Sequence, residues 1–168
     1  MKLTHINEEG NPKIVNISDK KMTKRVAVAM GEIVVSPATK KLILEGKTKK
    51  GAVLQTAIVG GIMGGKRSWE IIPMCHPIPI DGIEIEIEEI ESGFRVVAGA
   101  VTTWKTGIEM EAITAVSTTL LTIYDMAKGV ERGMEIGNIQ LLYKGGGRTG
   151  VYIREGWEKV VEKMLHKM

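Results

Sequence analysis

Between Gly82 and Ile90 the chain alternates without a break: Ile83, Ile85 and Ile87 interleave with Glu84, Glu86 and Glu88. Side chains on a strand point to opposite faces in turn, so this segment has one apolar face and one charged face. A strand with one wet face belongs to an antiparallel sheet, because a parallel sheet has both faces covered. Glu91-Ser92-Gly93 supplies a turn, and Phe94–Thr103 reads as the partner strand. Further strands fit Lys24–Val35 and Ile136–Tyr143. Helices fit between them. Ser36 can cap a helix that starts at Pro37 and ends near Gly46. A second helical stretch runs from about Gly51 to Arg67. A long helix from Ile108 to Lys128 places Ile113, Val116, Leu120, Ile123, Tyr124 and Ala127 on its core side. The order strand, helices, strand, strand, helix, strand predicts an α+β fold of the ferredoxin-like split βαβ type. Its four-stranded antiparallel sheet would carry helices on one face.

With 168 residues, 43% of them hydrophobic, the chain is expected to form one domain with a substantial core. We divide it into a mobile N-terminal arm (1–23), a catalytic core (24–150) and a C-terminal extension (151–168), with a short amphipathic helix at Trp157–His166. The formal net charge of +3 is compatible with a small anionic ligand and is a weak argument for nucleic acid, which is not expected as a partner. Aromatic content of 4% leaves little for base stacking, and Gly82–Ile90 offers no aromatic to an RNA-binding sheet. Cys75 is the single cysteine, which excludes an internal disulfide and fits a reducing compartment. The start of the chain lacks the apolar stretch of a signal peptide, and the longest uncharged run, Gly51–Gly65, is too short to span a bilayer. A cytoplasmic protein with no membrane partner is expected.

Gly60-Gly61-Ile62-Met63-Gly64-Gly65-Lys66 imitates a phosphate-binding P-loop but puts Arg67 where magnesium needs Ser or Thr, and no strand leads into it. Each interior glycine costs a helix roughly 0.5–1 kcal/mol against alanine, so these four imply close backbone approach, to another helix or to a ligand. Lys66 and Arg67 can meet phosphate; a solvated basic helix end explains them equally well. Three prolines stiffen Pro73-Met74-Cys75-His76-Pro77-Ile78-Pro79 around one histidine. His5, His76 and His166 show no ligand spacing, so no metal site is expected. Glu109 and Glu111 open the long helix, where carboxylates also serve as ordinary dipole partners. Asp125 and Lys128 stand three apart near its end, as a simple surface ion pair also would. Fourteen residues of continuous helix separate Glu111 from Asp125 by about 21 Å. Both can serve one small ligand only if two subunits, or one extended ligand, bring them together.

Taken in order, several stretches resemble the cyclic pyranopterin monophosphate synthase family, the molybdenum-cofactor biosynthesis C proteins. They are Leu3-Thr4-His5-Ile6-Asn7, Lys49-Lys50-Gly51, Lys66-Arg67, Ile71 to Pro77, Lys105-Thr106-Gly107-Ile108-Glu109-Met110-Glu111-Ala112, Leu121 to Met126 with Lys128, and Lys144-Gly145-Gly146. The resemblance implies a ferredoxin-like subunit, a homohexamer built from dimers, and a pocket at a subunit interface. It also implies a reaction that turns 3′,8-cyclo-7,8-dihydro-GTP into cyclic pyranopterin monophosphate and releases pyrophosphate, with no redox cofactor. By position it assigns Asp125, Lys50 and Lys128 to proton transfer and Met74, Cys75, His76, Met110 and Glu111 to substrate binding. Arg25, Lys66 and Lys144 become candidate triphosphate ligands. Lysines crowded by other cations have lowered pKa values and can exchange protons near neutrality. The chain departs from the family's usual pattern at Asn16, Ala52 and Trp104. A non-catalytic module that binds a purine triphosphate for regulation is the competing expectation.

Overall fold

A computed structural model describes residues 5–147 and 150–168. Leu3 and Thr4 of the first matching stretch, and Arg148 at the end of the 144–148 loop, lie outside the described residues.

The described elements are β1 (Thr23–Val34), α1 (Pro37–Leu44), α2 (Val53–Lys66), α3 (Ser68–Ile71), β2 (Gly82–Ile90), β3 (Gly93–Trp104), α4 (Glu109–Ala127), β4 (Glu135–Gly145), β5 (Tyr152–Ile153) and α5 (Glu158–Leu165). The sheet order is β2-β3-β1-β4-β5, with every neighbouring pair antiparallel. Its first four strands form the expected ferredoxin-like arrangement. The fifth is an addition: two residues of β5 pair with Tyr143 and Lys144 at the far edge. Gly93, where β2 turns into β3, has φ +151°, and a Cβ there would run into the Ile33 carbonyl, so the turn needs glycine.

Alternation along β1 explains why the sheet is covered on both sides. Ala27, Ala29 and Ile33 face one layer, with Phe94, Val96, Ala98 and Ala100 of β3 and Ala112, Ala115, Val116, Leu120 and Ile123 of α4. Val28 and Met30 face the other way, with Val97, Leu142 and the α5 residues Val161 and Met164. Helices on one face is thus correct for α1, α2 and α4, whereas α5 seals the opposite face. The charged face of β2 supplies part of that seal, since Lys163 reaches Glu86 and Glu88 at 2.9 Å each.

The glycine-rich helix packs against a helix, which decides between the two readings left open by its sequence. A Cβ on Gly60 would stand 2.6 Å from Thr122 Oγ1, and one on Gly61 would stand 2.9 Å from the Ala115 carbonyl. Thr118, Thr119 and Thr122 of α4 spend their hydroxyls on carbonyls one turn back, at 2.7–2.8 Å. Their methyl and oxygen edges therefore need no polar partner in α2. This close contact fixes the direction of α4, the element that carries Met110, Glu111 and Asp125 of the candidate site.

Caps set the ends of α1 as its sequence implies. The Ser36 side chain accepts from the Thr39 amide, and Pro37 takes the first helical position. At the other end Gly46, at φ +64°, donates to Ile43 O while Lys47 donates to Leu42 O, the paired bonds of a Schellman turn. That turn opens the loop carrying Lys50. Among the described residues no helix is long and apolar enough to cross a membrane.

Candidate active site

One cleft of about 330 Å³ lies at the N-terminal end of α4. The stiff 73–79 segment contributes Met74, Cys75 and His76, the Thr106-Gly107 turn forms another wall, and the first turn of α4 brings Met110 and Glu111. His5, Val15, Ile17 and Lys20 close it from the N-terminal arm. Two contacts hold the arm there: His76 Nε2 donates to the Val15 carbonyl at 2.7 Å, and Lys105 Nζ donates to the Ser18 carbonyl at 2.6 Å. Asn16 makes a local turn, its side-chain oxygen accepting from Ser18 N at 2.9 Å and Ser18 Oγ at 2.7 Å.

Glu111 is the unusual group. It is 4% exposed, and burial, reinforced by the neighbouring Glu109, pushes its pKa up to about 7. A carboxyl in that range changes charge near neutrality and can either donate or accept a hydrogen bond. Burial, and Glu111 beside it, raise the Cys75 thiol above its ordinary value. That keeps Cys75 protonated, so it is a wall of the cleft and a poor nucleophile.

A smaller cleft of about 180 Å³ adjoins this one and shares Gly107 and Glu109 with it; Arg25, Lys144, Gly145 and Gly146 are among its other lining residues. Arg25 is aimed by carbonyls at the end of β3, with Nε donating to the Trp104 carbonyl at 3.1 Å and Nη2 to the Lys105 carbonyl at 3.4 Å. Lys144 Nζ is 3.2 Å from Glu109 Oε1. Two cations beside the start of a helix form a setting for an anion. Lys66 stands apart from them, in a cleft it shares with Ile62, Ile78, Ile80, Gly82 and Ile83.

The third group sits at the other end of α4. Asp125 Oδ2 receives Lys50 Nζ at 2.6 Å and Asp125 Oδ1 receives Lys128 Nζ at 2.6 Å. Lys50 also donates to the Asp125 carbonyl at 3.0 Å. These three side chains are about half exposed, at 49–54%. Hydrogen bonds from Lys128 and Lys50 hold the Asp125 carboxyl down at about 2. The same Asp125 bond raises Lys128 above its ordinary value. The expected lowering by crowded cations is therefore corrected for Lys128: a carboxylate stands between the lysines, so the charged ammonium is favoured. Ala52, one of the departures, is the N-cap of α2 and gives it no side-chain cap.

The structure thus divides the sequence candidates. Met74, Cys75, His76, Met110 and Glu111 share one cleft, Arg25 and Lys144 the next, and Lys50, Asp125 and Lys128 meet at the far end of the helix. Thr106, Gly107 and Glu109 join the site as additions, and their only signal is position inside the matching 105–112 stretch. His5 had the same kind of signal, from the matching 3–7 stretch, while Val15, Ile17 and Lys20 had none, because an irregular arm reaches the cleft only through tertiary contacts. Among the described residues no three His, Cys, Asp or Glu side chains are placed to hold a metal ion.

Fold and site together define a class: a ferredoxin-like α+β protein with a buried-carboxyl cleft and an anion setting at one end of a long helix, and a lysine-clamped aspartate at the other. Comparison with known proteins narrows it. The MoaC family model matches residues 14–147, and the chain belongs to that family. It is 49% identical over 154 residues to a Helicobacter pylori protein named cyclic pyranopterin monophosphate synthase, covering 90% of this chain and 98% of the relative. Proteins of the same name from Thermomicrobium roseum and Brevibacillus brevis are 46% and 48% identical, covering 91% and 90% of this chain and 93% and 96% of those relatives.

Proposed function

We propose that this protein is a lyase of molybdenum-cofactor biosynthesis that converts 3′,8-cyclo-7,8-dihydro-GTP into cyclic pyranopterin monophosphate and pyrophosphate. The observation that carries the reading is the meeting of Lys50, Asp125 and Lys128, drawn from segments 75 residues apart and joined by two 2.6 Å contacts. Membership of the family and the name shared by the relatives support the same reaction.

Opening and reclosing a purine-derived ring requires groups that deliver and collect protons. Asp125 keeps Lys128 protonated in the resting chain, so Lys128 acts as a proton donor and as a charge for developing anions. Lys50 shares the same carboxylate and takes part in proton transfer. Glu111, near its midpoint at neutral pH, bonds the base portion of the substrate in either protonation state. Closure of the cyclic phosphate forms a bond from a substrate hydroxyl oxygen to the α-phosphorus. The bond from that phosphorus to the α,β-bridging oxygen breaks, and pyrophosphate leaves with the electron pair and takes up the proton that the hydroxyl gives up. Arg25 and Lys144 neutralise the departing oxygens, with Glu109 giving up Lys144 to the phosphates. Lys66 is a more remote phosphate contact.

The two ends of α4 stand about 21 Å apart in one chain, so a complete pocket takes the Glu111 cleft from one subunit and the lysine-clamped Asp125 from another. A homohexamer built from dimers, in the cytoplasm, is the assembly we propose; the number of six rests on the family resemblance.

The test is incubation of the purified protein with the cyclised GTP while pyrophosphate and a pterin product are followed. Equal release of both is expected. Binding without turnover would sink the lyase and favour the regulatory triphosphate-binding module.

A further inference from the structure

The lysine-clamped aspartate has a geometric problem. Its three side chains are about half exposed, and exposed ion pairs contribute little to fixing their own geometry. Lys128 is the C-cap residue of α4, and Lys50 lies on the loop that follows α1. Something must hold the end of α4 against the segment that leads to Lys50.

Glu131 provides that link. Its carboxylate accepts the Ser36 amide at 3.0 Å through Oε2 and at 3.2 Å through Oε1, and accepts the Ser36 hydroxyl at 2.8 Å. Ser36 is the N-cap of α1, so the carboxylate sits at the positive end of that helix. On its own side Glu131 closes the turn that carries Lys128. Glu131 N donates to Ala127 O at 3.2 Å, Val130 N donates to the same oxygen at 2.8 Å, and Lys128 N donates to Tyr124 O at 2.8 Å. One side chain therefore ties residue 36 to residue 131, and with them the segments bearing both lysines. The Thr39 hydroxyl and the Ser36 amide hold its carboxyl below the ordinary range, so it stays charged near neutrality.

We infer that Glu131 is a positioning residue for the reaction: it sets the placement of Lys128 on Asp125, and of Lys50 against both, without touching substrate. This rests on the proposed lyase reading. Misplacement of a catalytic group by about 1 Å can cost on the order of a hundredfold in rate. The turn has a second tether, since the Tyr124 hydroxyl donates to the Arg132 carbonyl at 3.0 Å. Loss of the Glu131 carboxylate should therefore loosen the turn without unfolding the chain.

The test compares wild type with Glu131→Ala and Glu131→Gln for turnover of the cyclised GTP, with the folded fraction and assembly of each measured in parallel. Glu131→Ala is expected to lose roughly tenfold or more in kcat with KM little changed. Its alkaline limb should move to lower pH, because Asp125 no longer secures the Lys128 ammonium. The groups facing that ammonium are Asp125, Tyr124 of α4 and, across the shared carboxylate, Lys50 of the α1–α2 loop. Glu131→Gln keeps an oxygen for Ser36 and should recover most of the rate. A folded, assembled Glu131→Ala protein with wild-type kcat and alkaline limb would overturn the inference, as would a rate loss that follows the folded fraction alone. A readout independent of turnover separates this from failure of the lyase reading. In protein carrying 13C-labelled lysine, assigned with Lys128→Ala, the Lys128 pKa should fall in Glu131→Ala; an unmoved value refutes the positioning role whatever the substrate proves to be.

Discussion

Glu111→Gln converts the buried carboxyl into a measurable pH dependence of stability. In the unfolded chain a glutamate titrates near 4.5, and in the folded protein Glu111 titrates at about 7. The folded state therefore prefers the neutral form. Stability from this group is highest below about pH 4.5, declines as pH rises through the window from 4.5 to about 7, and is level above it. At about 1.4 kcal/mol per pH unit the full decline is roughly 3 kcal/mol. Glutamine keeps the shape and the amide dipole but cannot ionise, so the variant lacks this decline. Wild type and variant should unfold with similar free energies near pH 4, and the variant should be the more stable by up to about 3 kcal/mol at pH 8. For a domain of this size that is about 2–4 °C of Tm for each kcal/mol. Urea or thermal unfolding at several pH values, at one protein concentration because assembly contributes to Tm, reads the difference directly. Asp125, Glu32 and Glu131 have lowered values, so their contributions are lost only at more acidic pH and cancel between the two proteins. Parallel stability curves between pH 5 and 8 would refute the claim that burial governs Glu111.

Lys128→Ala should abolish turnover while leaving fold and assembly intact, since its side chain is about half exposed and its ion pair is with Asp125 of the same helix; near-normal pyrophosphate release would remove it from the mechanism. Mixing Glu111→Ala with Asp125→Ala subunits should restore activity absent from each alone, because some shared pockets then carry neither lesion; confirmed mixed oligomers of folded variants that stay inactive would refute a pocket shared between chains. Gly61→Ala should destabilise the protein by about 1–3 kcal/mol, despite alanine's better helix propensity, because its Cβ meets the Ala115 backbone as well as Ile85 Cδ1; chemical denaturation measures this, and unchanged stability would show that α2 and α4 can move apart without cost.

The sequence by itself determined the ferredoxin-like order of elements and most of their bounds. Strand β2 is Gly82–Ile90 in both sequence and structure, because strict alternation admits one pleated register. Ser36, Pro37 and Gly46 delimit α1 because capping is a local backbone matter, settled within a few residues. The separation of Glu111 from Asp125 also followed from helical rise alone. Tertiary structure decided what depends on distant segments meeting. Sequence left the α2 glycines divided between a helix and a ligand, and only the packing of Thr118, Thr119 and Thr122 settles it. The amphipathic pattern of α5 showed that it needs an apolar partner but not which face of the sheet supplies one. The arm residues at the Glu111 cleft, the separate setting of Lys66 and the bond from Glu131 to Ser36 have no periodicity to betray them. Charge states belong to the same category. Lys128 is raised by Asp125, a partner three residues back that the sequence already placed beside it, whereas Glu111 is raised because the fold buries it and Lys50 reaches Asp125 from a segment 75 residues away; the last two are consequences of neighbours that a linear chain does not specify.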